Sequence, residues 1–197
     1  MNSYKNHLHL NRIITAKISS FTCCLICLLT VCIGTATAKD EVSLEDKTKA
    51  AFLYHFTRYI QWPKTDSTEI FNIGVLGDRA ITRPLEEISR LKDVGGRQII
   101  VTQLDSIDQC GPCHILFIGK SEKKNLGEII DYLKGANTLT VSDIKNAAKK
   151  GACINFLTIN GKIRFEINRR ALKRMHLTAS SQLLKLAIIV NEENVDD

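Results

Sequence analysis

The stretch "DQCGPCHILFIGK", residues 108–120, sets the architecture. Its C-G-P-C is the dithiol of thioredoxin-like oxidoreductases. In those enzymes a strand precedes the motif and a helix opens at it, so that the positive helix N-terminus lowers the first thiol's pKa. Here the order is reversed. "DSIDQ" before Cys110 is polar, and "HILFIG" after Cys113 is a short, uninterrupted apolar run that suits a buried strand. Gln109, not an aromatic residue, precedes Cys110. The prolines are Pro63, Pro84 and Pro112, so none follows at a distance to sit opposite the thiols. The motif lacks its context. Gly111-Pro112 reads instead as a tight turn feeding a strand.

The same alternation continues on both sides. "SLEDKTKAAFLYHFTRYIQW" (43–62) is a helix capped by Ser43, with Asp46 in the place of the capping-box acid, and Pro63 ends it. Phe52, Phe56, Tyr59 and Ile60 form its apolar stripe. "IFNIGVLG" (70–77) reads as a buried strand, 83–91 as a helix, and "RQIIVTQL" (97–104) as a strand. A helix over 122–135, a strand over 137–143 and a short helix over 144–150 follow. The strongest local signal is "ACINFLTI", Asn160-Gly161, "KIRFEIN": Asn-Gly suits a type I′ turn, whose twist matches a hairpin. Ile163, Phe165 and Ile167 alternate with Arg164 and Glu166, so one face of the second arm is buried and the other charged. A short helix over 169–175 and a last helix "QLLKLAIIV" (182–190), capped by Ser180 or Ser181, complete the chain. The expected fold is α/β: a mostly parallel sheet with helices on both faces, a C-terminal antiparallel hairpin at one edge and a final helix.

Residues 1–38 have the form of a cleaved secretory signal peptide. Lys5, Arg12 and Lys17 precede the uncharged run 18–34, and Ala36-Thr37-Ala38 is a small-x-small exit. The run is slightly short for a membrane anchor. The mature chain, 39–197, is expected to be one domain, membrane-proximal but not membrane-spanning, with a flexible acidic tail from about residue 191. Three of the 27 basic side chains leave with the leader and all 21 acids stay. The remainder is close to balanced, which argues against a nucleic-acid partner. Cys23, Cys24, Cys27 and Cys32 also leave. Export permits disulfides among Cys110, Cys113 and Cys153, an odd number. A local Cys110–Cys113 bridge and a Cys113–Cys153 bridge both remain open, as does a simply buried Cys113.

Other chemistry is sparse. His55, His114 and His176 have no metal-ligand spacing, and "GVLGD" (74–78) lacks both the dinucleotide glycine pattern and the Walker lysine. No catalytic residue, cofactor or metal is expected. The aromatics of the first helix suit a core, and "ALKRMH" (171–176) a solvated face.

Five blocks taken together resemble the YfiR-like family of exported bacterial proteins: "KAAFLYHFTRYIQWP" (49–63), "CHILFIG" (113–119), "LTVSD" (139–143), "INFLTINGKIRFEIN" (154–168) and "LTASSQLLKLA" (177–187). They occur in the family's order. The resemblance implies a non-enzymatic periplasmic repressor. It would bind the periplasmic domain of an inner-membrane diguanylate cyclase, lower cyclic di-GMP and biofilm formation, form homodimers, and respond to redox conditions through disulfides. Cys113 matches a family cysteine, whereas Gly74 stands where its partner would be, so the family's pairing does not transfer. By the same resemblance the hairpin's second arm lies near the interaction surface, and Arg164, Glu166 and Asn168 are the candidate contacts. Two other classes stay in view: a thiol–disulfide protein using Cys110, and a small-ligand receptor using the crevice at the carboxyl ends of parallel strands.

Overall fold

The computed structural model describes residues 42–63 and 69–190. The leader and the acidic tail expected from the sequence lie outside the described residues. Helix α1 (Leu44–Tyr59) begins as a reciprocal cap. Ser43 accepts the Asp46 N–H at 3.0 Å, and its hydroxyl donates to the Asp46 carboxylate at 2.6 Å. The helix ends at Tyr59, not Trp62. Ile60 turns extended, and β1 (Ile60–Gln61) pairs antiparallel with a short strand late in the chain.

The elements that follow are β2 (Ile70–Leu76), α2 (Thr82–Ser89), β3 (Asp93–Val94), β4 (Arg97–Leu104), β5 (Ile115–Ile118) and α3 (Leu126–Tyr132). Then come β6 (Leu139–Ser142), β7 (Ile154–Ile159), β8 (Lys162–Asn168), α4 (Arg169–Arg174), β9 (Thr178–Ala179), α5 (Ser181–Leu186) and β10 (Ile188–Val190). Among the described residues the main sheet has the order β10-β8-β7-β6-β5-β2-β4-β3, and β1 pairs with β9 apart from it. The β2/β4, β2/β5, β5/β6 and β6/β7 pairs are parallel. From β2 the chain crosses one way through α2 to β4, and from β5 the other way through α3 to β6. Right-handed crossovers in opposite directions put α2 and α3 on opposite faces. The central strands are covered on both sides accordingly: every residue of β5 and of β6 is buried.

Further expectations need correction. Residues 144–150 form successive turns, not a helix, because Asn146 (φ 64°) adopts the left-handed conformation, which an α-helix does not admit. The last helix stops at Leu186, where Ala187 turns extended, and the β-branched Ile188–Val190 joins β8 in parallel. The hairpin is thus the second and third strands from its edge, and β10 is the edge itself.

The hairpin turn is as expected. Asn160 (φ 49°) and Gly161 (φ 71°) are both left-handed, and Phe156 faces Phe165 across the pair. Gly161→Val should cost roughly 1–2 kcal/mol, the penalty of a side chain in that conformation, in urea unfolding. No loss would mean that the turn changes type without strain.

The amphipathic stripe of α1 is rotated from the expected one. Lys49, Ala50, Leu53, Phe56 and Thr57 are buried, with Phe52 and Tyr59 half-buried at its margin. Phe56 lies 5.3 Å from Phe165 and 5.9 Å from Phe156, ring centre to centre, and Phe52 closes the cluster at 5.7 Å from Phe165. Ala171 and Leu172 of α4 and Met175 at its C-terminal cap are buried, so "ALKRMH" is half core, not a solvated face.

Candidate functional site

The two cysteines of C-G-P-C meet. Cys110 closes a 3-10 turn over Ile107–Gln109 and Cys113 leads into β5, so no helix opens at either thiol. Their sulfurs are 3.0 Å apart, both as free thiols. The hydrogen bond between the two thiols lowers the Cys110 thiol pKa, although burial opposes it. The same bond, then burial, pushes Cys113 far up. A Cβ on Gly74 would stand 3.1 Å from the Cys113 sulfur, so position 74 is within reach of that cysteine. Here the sulfur that meets Cys113 comes from Cys110 instead. Cys153 precedes β7, with β6 between β7 and β5. Two strand spacings, about 10 Å, exceed the roughly 7 Å that a disulfide spans between Cα atoms. Oxidation with diamide should therefore join Cys110 to Cys113 and leave Cys153 a thiol, as peptide mass mapping of the alkylated, non-reduced protein will show. A Cys113–Cys153 peptide pair would contradict this geometry.

The histidines serve separate local roles. His55 is exposed on α1, and His176 hydrogen-bonds Asn137 at 3.0 Å. His114 is buried, stacked on Phe71 at 4.3 Å, and its Nδ1 accepts the Asn72 N–H at 3.0 Å. Among the described residues no three His, Cys, Asp or Glu side chains are grouped to hold a metal.

On the hairpin, Arg164 is exposed and Glu166 half-buried. Asn168 is a correction. Its side chain is fully buried, accepts the Ala171 N–H at 2.9 Å as the cap of α4, and donates to the Ala148 carbonyl at 2.7 Å. The 144–151 turns cover the outward face at this position, so the charged surface ends at Glu166.

A second site lies in the crevice at the carboxyl ends of the strands, the place expected for a small-ligand receptor, but its residues were not anticipated from the sequence. Only Ile154 and Asn155 of β7 pair with β6, so the hairpin runs on past the carboxyl ends of β5 and β6 and walls a basin of about 550 Å³. At its floor the buried Lys49 ammonium lies 2.7 Å from Asp143 Oδ2 and 2.7 Å from Glu45 Oε1, with the Lys120 ammonium 3.8 Å from the same Asp143 oxygen. Burial pulls the Lys49 pKa down, but its hydrogen bonds to Asp143 and Glu45 outweigh that, and the net shift is upward. The Lys49 hydrogen bond holds the Glu45 carboxyl below its ordinary 4.5. Asn155 donates to Glu166 Oε2 at 2.8 Å. One signal was legible: Lys49 shares a helical stripe with Leu53, Phe56 and Ile60, and a cation on a buried face requires a partner.

These features define an α/β domain with a basin at the carboxyl ends of its strands and a thiol pair outside any thioredoxin-type setting. The YfiR/HmsC-like family model matches residues 46–188, and the chain belongs to that family. The family is one of regulators in diguanylate cyclase signalling. No protein of curated function matches the chain. Two solved structures are similar to the chain at low identity. A conserved domain protein from Vibrio cholerae O1 biovar El Tor has a TM-score of 0.49 at 12% identity over 75% of this chain. The ABC domain in complex with L-Trp from Streptococcus pneumoniae has a TM-score of 0.50 at 8% identity over 74%. The chain spans 60% of the length of each. Among the described residues no helix is long and apolar enough to cross a membrane.

Proposed function

We propose that this protein is a periplasmic repressor that binds the periplasmic domain of an inner-membrane diguanylate cyclase and holds it inactive, as a homodimer, with the Cys110–Cys113 pair as its redox-sensitive element. Membership of the YfiR/HmsC-like family is the observation that carries this reading. The form of the leader supports export, and the thiol pair, lacking a helix N-terminus, supports regulation over thiol catalysis.

Inhibition by binding requires greater affinity for the cyclase's inactive state than for its active state. The proposed contact is the hairpin's outward face, centred on Arg164 and Glu166. Arg164→Glu is the cleaner variant because its side chain is exposed, whereas Glu166 also holds Asn155. With the periplasmic domain of an inner-membrane diguanylate cyclase from the same organism that the wild-type protein binds, Arg164→Glu should weaken binding at least about tenfold, a loss of roughly 1.4 kcal/mol. Circular dichroism should be unchanged. Binding equal to wild type would remove this face from the interface.

A further inference from the structure

Two acceptors at the floor of the basin are unmet. Asp143 Oδ1 and Asn155 Oδ1 are buried and accept no hydrogen bond from the protein, and both residues line the basin. The orientation of Asn155 is fixed, because its Nδ2 donates to the Glu166 carboxylate, which leaves Oδ1 as the outstanding group. A buried acceptor without a donor is costly, so a pair of them at the bottom of an open basin marks a place for a ligand's donors. The position agrees with a general rule of open α/β sheets, whose ligands bind beyond the carboxyl ends of the strands. The volume falls within the range of small-molecule sites.

Charge then selects the ligand. Lys49, Lys120, Lys123 and Lys145 line the basin against Glu45, Asp143 and Glu166. The Asp143 carboxylate is already countered by Lys49, at 2.7 Å, and flanked by Lys120. A further cation would enter a site with an excess of ammonium groups. Hydroxyl groups meet the two acceptors without adding positive charge, and the exposed Lys123 and Lys145 at the rim suit an acid group. Phe156, Leu157 and Ile163 supply an apolar wall for the carbon face of a ring. We infer that the basin binds a small hydroxylated anion, of the acidic-sugar or sugar-phosphate class, with its hydroxyls on Asp143 and Asn155 and its acid group on the rim lysines. Glu166 lines the basin as well as belonging to the proposed cyclase contact, whereas Arg164 does not line it.

The test is thermal-shift and calorimetric titration of the purified protein with D-glucuronate and D-glucose 6-phosphate, with D-glucose and acetate as controls. At least one of the two hydroxylated anions should raise the melting temperature saturably and bind about tenfold or more tightly than either control. The double variant Lys123→Ala, Lys145→Ala should weaken that binding about tenfold while leaving the free protein's melting temperature unchanged. Asn155→Leu should abolish binding, and the lysine variant keeps the test valid if Asn155→Leu does not fold. The inference is overturned if neither hydroxylated anion binds saturably. It is also overturned if glucose or acetate binds as tightly, or if the lysine variant binds like wild type.

Discussion

Phe56→Ala should lower the unfolding free energy by about 3–5 kcal/mol, the usual cost of emptying a buried aromatic site. Phe56 has no exposed surface and packs against Phe52, Phe156 and Phe165. Those rings are the joint between α1 and the hairpin, so the cavity would open between two elements distant in sequence. Each is held elsewhere, α1 by the β1/β9 pair and the hairpin by β6 and β10, which limits collapse into the space. Phe52→Ala, at the half-buried margin of the same cluster, should cost less. Urea unfolding of the two variants gives the comparison, and equal losses would mean that Phe56 does not occupy the centre of the joint.

The second large effect is expected at the basin floor. Asp143→Ala should destabilise the domain by about 3 kcal/mol, near the lower end for breaking a buried ion pair. The Lys49 ammonium would keep only the partly exposed Glu45, and the adjoining basin would let some water reach it. Replacing both partners, Lys49→Met with Asp143→Leu, should recover much of the loss, because it removes the stranded charge. A double variant no more stable than Asp143→Ala would contradict this origin. The pH dependence follows from the two shifts. Lys49 is raised, so its contribution is fully present below its ordinary 10.5 and is lost as pH climbs through the raised value. Glu45 is lowered, so its contribution is present above 4.5 and is lost as pH falls through the depressed value. Glu45 is nearly half exposed, and its share is correspondingly small. Stability from this cluster should be flat across neutral pH and decline in alkali, as unfolding in a buffer series would show.

Much of the fold could be read from local sequence. The Ser43 cap, the Asn160-Gly161 turn and the apolar runs of β2, β4, β5 and β6 each depend on neighbouring residues, and each stands where expected. What failed depended on distant partners. Residues 182–190 read as one helix because Leu183, Leu184 and Ala187 have helical spacing, yet β8 offers Ile188–Val190 a free edge and pairing prevails. Asn168 continues the outward alternation of Arg164 and Glu166, but a covering turn from twenty residues earlier buries it. The basin's place beyond the strand ends could be expected, but its residues were illegible for the same reason. Lys49 and Asp143 are 94 residues apart, and only the sheet's carboxyl edge brings them together. The C-G-P-C segment was the opposite case: the polar residues before it and the apolar run after it sufficed to separate it from a thioredoxin site.

The central claim is repression of a diguanylate cyclase, and intracellular cyclic di-GMP tests it most directly. The level should be compared in the wild-type strain, a strain lacking this gene, and the deletion complemented with wild type or Arg164→Glu. Deletion should raise the level, wild type should reverse the rise, and Arg164→Glu should not. A cyclic di-GMP level unchanged by deletion would contradict that claim.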